Sequence, residues 1–504
     1  MNRFFDEKII FFMLKEMEEK YSNEILNFGF ESWPITKMFL FRNFSTKSMT
    51  EKSKEKKLSF LSKSRKKIFK NLRQLFYQYI FKRQKINTNI SSDIKNIFFS
   101  RSVYLDKIPS GKYFDRITDP IYLTSLANVG SLKFYLDSNF LDLKLYTKGY
   151  IYRQNHIGKF TNLFNKEYHD LKKKCMFFLR SFISLHKLEY LEDSLYYDLK
   201  ITIEAYIRQK NKATKFLRKF ESLRKIFLTA WYFSDGMGII AAANALNIET
   251  IDLQHGKQGK YQLAYSGWKY IPQKGFVNLP SIFWCWGEKS KNDILLGSIN
   301  RKNHLPILGG FSWPIWYDTF ISKKETNNCN VRVKLLFTMQ RAKIYNSKEP
   351  IENGLVRIVE EYDALYKKGL KDELHIRIRI HPNQIEESLS YLKDRFGKLF
   401  YSKIMSFSSK SVCSLYDDFN WSTHHLTNFS SSAIESIAFN IKSAVYGKLA
   451  YEIYKDEILN KSLYFLKNCN HKEISNWIKN NNSSPPKIST KYILSKFPNP
   501  KIIC

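Results

Sequence analysis

Residues 251–259 read IDLQHGKQG, and residues 377–383 read RIRIHPN. In each stretch a short β-branched or aliphatic run stops at a histidine, followed once by glycine and once by proline. Such a run, bounded by turn residues, reads as a buried strand. A histidine at the carboxyl end of a strand lies where open α/β sheets hold their ligands. The two stretches together predict two sheets, each with a histidine at its ligand-binding edge.

The neighbouring sequence extends both patterns. RKIFLTAWYF (224–233) reads as a strand, GIIAAANALN (238–247) as a small-residue helix and ETIDLQHG (249–256) as the next strand. SIFWCWGEKSKNDIL (281–295) is strand, glycine and helix, and HLPILGGFSWP (304–314) ends the set with the turn glycines Gly309 and Gly310. The polar SKKETNNCN (322–330) reads as a linker. The pattern then restarts with strands at 331–340 and 373–383, helices at 351–368 and 384–396, and a strand, serine cluster and helix over 421–439. Strands alternating with helices predict an α/β fold with parallel sheets covered on both faces. The expected division is a helical basic extension at 1–90 and two Rossmann-like domains at 91–325 and 326–504, facing each other across a cleft.

The 504 residues suffice for two or three cores, and a 43% apolar fraction excludes a disordered chain. No stretch reaches eighteen consecutive apolar residues, and the acidic, helix-patterned start does not resemble a signal peptide. Six cysteines without CxxC spacing fit a reducing compartment, so the expected location is cytoplasmic. Lys+Arg minus Asp+Glu is 82 − 47 = +35, which implies a polyanionic partner. Thirteen of those cations lie between Lys47 and Arg83, against two acids, interleaved with Ile68, Phe69, Leu72, Leu75, Phe76, Tyr79 and Ile80 at helical spacing. Such a segment is either a helix docked on the core or one lying peripherally on an anionic membrane surface. No nucleic-acid-binding signature accompanies the charge, so no specific nucleic-acid partner is expected.

Three short motifs carry the chemistry. NFSSSAIES (428–436) places Ser430, Ser431 and Ser432 between a strand and a helix, a junction that suits an anion. Ser432 and Glu435 also have capping-box spacing. HIRIRIHPN (375–383) alternates isoleucine with His375, Arg377, Arg379 and His381, so one strand face is cationic, either solvated or binding, and Pro382 stiffens its end. YFSDGMGII (232–240) sets Asp235 and Gly236 at a strand-to-helix turn, where Asp235 is a helix cap or, with His255, a base for a hydroxyl. Gly236 and Gly256 join Gly309 and Gly310 as hinge or turn positions. There is no GxGxxG and hence no support for a dehydrogenase-type dinucleotide site.

In this order the motifs resemble the GT-B glycosyltransferases of bacterial capsule and O-antigen synthesis. Asp235-Gly236, His381-Pro382 and Ser430-Ser431-Ser432 are similar to the acidic-acidic-Gly, HP and Ser-Ser/Thr motifs of bacterial sialyl- and polysialyltransferases, over residues about 95–470. Ser234 stands where that family has its first acid. His255-Gly256 resembles the HG pair of CDP-glycerol glycerophosphotransferases. The resemblance implies a metal-independent glycosyltransferase, with no cofactor beyond a nucleotide-sugar donor. It implies donor phosphates on Ser430–Ser432, His381-Pro382 and Arg379, and the nucleoside near Glu435. A glycan or lipid-linked glycan acceptor would then meet His255 or Asp235. The alternatives are a glycerophosphotransferase or sugar-nucleotide epimerase of the same fold, or a non-catalytic binding protein.

Overall fold

The structure, a computed structural model, describes residues 7–46, 93–126, 130–137, 143–152, 166–296, 301–311, 332–340, 350–370, 373–381 and 385–479. The basic segment between Lys47 and Arg83, and Pro382, lie outside these residues.

Two parallel sheets organise the chain. The first contains β1 (Ile94–Ser100), β4 (Gly130–Tyr135), β5 (Tyr150–Ile151), β6 (Lys225–Leu228), β7 (Glu249–Leu253), β8 (Ile282–Cys285) and β9 (Leu305–Leu308), in the order β5-β4-β1-β6-β7-β8-β9. The second contains β10 (Val333–Thr338), β11 (Leu374–Arg379), β12 (Met405–Ser408), β13 (His424–Thr427), β14 (Lys442–Tyr446) and β15 (Tyr464–Leu466), ordered β12-β11-β10-β13-β14-β15. Each sheet starts in the middle, runs outward through two strands, then crosses back and runs the other way. This is the Rossmann strand order, and its switch points lie between β1 and β6 and between β10 and β13. A small hairpin, β2 (Leu105–Lys107) with β3 (Tyr113–Asp115), leaves the first sheet after β1.

Local chemistry explains the departures from the sequence reading. The run at 224–233 pairs only over 225–228, because Ala230 adopts a left-handed φ of 55° and turns the chain out of the sheet. HIRIRIHPN is no solvated edge, since β11 pairs with β10 on one side and β12 on the other. The helices Glu7–Lys20, Ser22–Phe28 and Ser32–Thr46 bury Ile10, Leu14, Trp33 and Met38 in the same core as β1, β6 and the helix Glu192–Leu217. Lys37, fully buried in this seam, donates at 2.6 Å to Glu18 and at 2.6 Å to the Gly267 carbonyl. Its charge is met on both sides of the contact, so these helices are part of the first domain's core.

An apolar cluster joins the domains. It unites Ile108, Phe114, Trp286 and Phe311 of the first with Leu415, Phe419, Ile434 and Tyr454 of the second.

Gly309 and Gly310 follow β9 and wrap the Trp284 indole, whose Nε1 donates to the Gly310 carbonyl at 3.1 Å. A methyl group on Gly309 would overlap that ring. Gly256 differs: its φ is not left-handed, and a Cβ there would sit at 3.6 Å from Ser431, an ordinary contact. Gly309→Ala is therefore expected to lower unfolding stability by about 1–3 kcal/mol, the cost of overpacking. Gly256→Ala should leave it nearly unchanged, and urea titration of both variants checks the contrast.

Candidate functional site

The carboxyl ends of the two sheets meet, and the sequence motifs lie there. On the first domain His255 follows β7. Its Nδ1 lies 3.3 Å from the Leu253 carbonyl, which can only accept, so that nitrogen carries the proton. Nε2 is then the acceptor, and it takes a hydrogen bond from the Tyr232 hydroxyl at 3.4 Å. The rings of Tyr104, Tyr232 and Tyr265 surround the imidazole at 5.4, 6.2 and 6.5 Å. Burial, helped by Arg101 and Arg116, lowers the His255 pKa to about 4, so the ring is neutral at pH 7.

Asp235 is engaged elsewhere. It opens the helix Ser234–Asn244, accepts from the Gly236 N–H at 2.8 Å and holds Arg101 Nη2 at 2.6 Å. A carboxylate so occupied is a poor base. Gly236 lies flat against the Trp231 carbonyl, where a Cβ does not fit.

Gln254, which the sequence reading passed over, determines the loop's path. Its amide donates to the Gly256 carbonyl at 2.8 Å and to Ser290 at 3.1 Å, while its Oε1 accepts from the Trp286 N–H at 2.6 Å. The residue is buried, so all three bonds are made away from water. A glutamine between an apolar run and a histidine was the available signal.

On the second domain the three serines take different roles. Ser432 is buried and joins the Thr338 hydroxyl at 2.8 Å; Thr338 also meets Nε2 of the buried His425 at 3.0 Å. Ser430 and Ser431 are partly exposed. The capping box expected between Ser432 and Glu435 does not form. Ser431 instead donates to Glu435 Oε1 at 3.1 Å, and Ser430 Oγ accepts from the Ser432 N–H at 3.3 Å. Glu435 is 2% exposed, its Oε2 has no partner among the described residues, and burial raises its pKa against the pull of Arg116 and Ser431. His381 lies two residues beyond the end of β11 and is partly exposed.

Arg379 needs correction. Its guanidinium donates to Asp418 at 2.6 Å and to the Cys413 carbonyl at 3.2 Å, and it reaches Asp106 of the β2–β3 hairpin at 3.2 Å. Arg377 adds a 3.1 Å bond to Asp418 and lies 3.9 Å from the Trp421 ring centroid. Asp106 also accepts from Arg116 at 3.1 Å. Arg379 is thus buried as a link between domains, with two carboxylates already on it, and is not presented to a donor phosphate.

A second link, also unread in the sequence, lies next to the histidine. Lys257 crosses to the other domain, where its Nζ donates to the Ile453 carbonyl, lies 3.5 Å from Glu457 and sits 3.8 Å from the Tyr454 ring centroid. Tyr454 in turn donates to the Ser430 carbonyl at 2.6 Å. The HG loop and the serine turn are thereby tied through one tyrosine. Among the described residues no group of three or more His, Cys, Asp or Glu is placed to hold a metal ion, and no helix is long and apolar enough to cross a membrane.

Two Rossmann-ordered domains meeting at their carboxyl edges make this a protein of GT-B fold. No protein-family model matches the chain, and no curated protein matches it. Solved structures are similar at a distance. S. aureus MnaA with UDP aligns over 80% of this chain and 93% of its own, at 11% identity and a TM-score of 0.48. The UDP-GlcNAc 2-epimerase of Neisseria meningitidis, bound to UDP-GlcNAc, aligns over 80% and 96% at 11% identity and a TM-score of 0.47. The glycosyltransferase SnogD of Streptomyces nogalater aligns over 77% and 91% at 8% identity and a TM-score of 0.39.

The Lys257 link has a pH signature. Burial, outweighing the attraction of Glu457, lowers its pKa from 10.5 to about 8. Between those values the unfolded chain binds the extra proton, so this residue's contribution to stability rises with pH from about 8 to 10.5. Lys257→Met should remove that rise, seen in urea unfolding as a stability–pH profile flatter than the wild type's across this range.

Proposed function

We propose that the protein is a glycosyltransferase that moves a sugar from a nucleotide-sugar donor to a surface-polysaccharide or lipid-linked glycan acceptor. The observation that supports this most is the approach of the HG loop to the serine turn. A neutral imidazole whose unprotonated Nε2 meets the Tyr232 hydroxyl stands on one domain, and a Cβ on Gly256 beside it would lie 3.6 Å from Ser431 of the other.

In the proposed reaction His255 Nε2 takes the proton of the acceptor hydroxyl as that oxygen bonds to the sugar's anomeric carbon. The bond from that carbon to the donor phosphate breaks, and its electron pair stays on the phosphate oxygen. Ser430, Ser431 and their backbone N–H groups, with His381, meet the charge that grows there. Glu435, with one oxygen uncommitted, accepts from the ribose hydroxyls. Asp235 holds Arg101 in place and is not the base. The chemistry asks for no divalent cation. An epimerase of the same fold would act on the donor without an acceptor.

His255→Ala and Ser431→Ala are each expected to reduce transfer at least about tenfold, roughly 1.4 kcal/mol of transition-state stabilisation, with unfolding midpoints unchanged. His255→Ala should depress kcat while nucleotide binding persists. Because burial holds the imidazole near 4, the acid limb of kcat/KM should lie far below the 6.5 of free histidine. A limb at 6.5, or turnover of donor that ignores every glycan acceptor, would count against the assignment.

The basic segment between Lys47 and Arg83 supports a place at the cytoplasmic face of an anionic membrane, each cation near the surface contributing about 1 kcal/mol before screening. Salt-sensitive co-sedimentation with anionic but not neutral vesicles is expected, lost when Lys66, Lys67, Lys70 and Arg73 become Glu. Binding to duplex DNA at physiological salt in place of vesicles would overturn it.

A further inference from the structure

Two cations with spare donors lie together where the hairpin of the first domain meets the second. Arg116 directly follows β3, and among the described residues only its Nη1 is engaged, on Asp106 at 3.1 Å. Its Nε is buried without an acceptor there, and Nη2 has none either. Lys410, two residues beyond the end of β12, is partly buried, and its Nζ donates to no described residue. The backbone holds the pair in place. Arg116 N–H donates to the Tyr104 carbonyl at 3.3 Å, and Lys107 N–H, beside Asp106, donates to the Lys410 carbonyl at 3.1 Å.

Their surroundings do not fully meet this positive charge. Asp106 is divided between Arg116 and Arg379. Burial lowers the Lys410 pKa in spite of Asp106 and Asp137, and the charge of Arg116 lowers it further. The same guanidinium acts on both sides of the cleft. It adds to burial in keeping His255 neutral, and it pulls the Glu435 carboxyl down against burial. Arg116 is thus within electrostatic reach of the base on one domain and of the serine-turn helix on the other.

The unmet groups choose the ligand class. Spare donors on two partly desolvated cations call for an anion, since such groups are costly to leave unpaired. A metal ion would be repelled. Glu435 Oε2 is buried and lacks a donor among the described residues, so a ligand that fills the gap also brings an O–H. An oxyanion and a hydroxyl on one small frame describe a nucleoside phosphate. The unengaged edge of the guanidinium, Nε with Nη2, is the fork that takes two oxygens of one phosphate. Arg379, which the strand pattern suggested for this task, is committed to Asp418 and Asp106.

We propose that Arg116 of the first domain and Lys410 of the second together bind a phosphate of the donor nucleotide. The proposal rests on the nucleotide-sugar reading and adds to it a cationic grip supplied from both domains. The phosphate leaves with the electron pair of the broken bond, and two cations beside it meet that charge more strongly than serine hydroxyls alone. The interdomain hairpin thereby gains a role in the reaction, because the Asp106 that joins Arg379 also orients Arg116.

The test is calorimetry on the full chain with UDP, CDP, CMP and GDP, and with uridine, cytidine and guanosine, for wild type, Arg116→Met and Lys410→Met. At least one nucleotide should bind the wild type, and bind each variant at least about tenfold more weakly, as deletion of a charged hydrogen bond predicts. The nucleosides, which lack the phosphate, should not distinguish the three proteins. Lys410→Met should keep the wild-type unfolding midpoint, because its Nζ has no described partner to lose. Were Arg116→Met to unfold, Lys410→Met alone carries the comparison. Nucleotide affinity equal in wild type and either folded variant, or a loss shared equally by the nucleoside, overturns the proposal and leaves the nucleotide-sugar reading in place. If no nucleotide binds the wild type, both fall.

Discussion

The buried guanidinium of Arg379 is the constraint on which the site depends. An arginine removed from water is costly unless its charge is met by well-placed acceptors. Here one carboxylate, Asp418, comes from its own domain and the other, Asp106, from the hairpin that leaves the first. A backbone bond from Lys107 to the Lys410 carbonyl, at 3.1 Å, accompanies it. Pulling the domains apart would strip Arg379 of Asp106 and expose the shared apolar cluster at once. The relative placement of His255 and the serine turn follows from that geometry.

The site itself is assembled from residues with unlike degrees of freedom. Gln254 bonds on three sides and fixes the path of the loop, while His255 sits in a ring of tyrosines with its unprotonated Nε2 facing the Tyr232 hydroxyl. Across the interface Ser432, Thr338 and His425 form a buried polar chain that anchors the base of the serine turn. Ser430 and Ser431 stand above it, partly exposed. Lys257 and Tyr454 connect these halves, so a shift in one loop is felt by the other. By contrast the pairs Lys8–Glu452 and Lys289–Asp456 across the same boundary are solvent-facing and of little energetic weight.

Much of this was readable from residue order. Alternating strands and helices, two histidines at strand ends and a serine cluster before a helix gave the α/β class and positioned the motifs at sheet edges, because period and punctuation are local properties of the chain. Local reasoning also misassigned some residues. Ser432 and Glu435 have capping-box spacing, yet the chain turns so that Ser431 bonds the glutamate. Arg379 alternates with isoleucines like a residue of a solvated face, yet the strand is interior and its partner Asp106 lies 273 residues away.

The sequence by itself determined which segments form strands and helices and which polar residues fall at their carboxyl ends. Those outcomes depend on side-chain periodicity, turn residues and nearest neighbours. Only the tertiary structure decided which of those polar residues remain available. Asp235 is held by an arginine 134 positions earlier, whereas His255 Nε2 meets a neutral tyrosine hydroxyl. The N-terminal helices join the first core through a shared apolar cluster and through Lys37 and Glu18, which bond the Gly267 carbonyl and the Lys269 N–H more than 200 positions away. Charge compensation in a low-dielectric interior is a property of what packs together, and residues distant in the chain supply it.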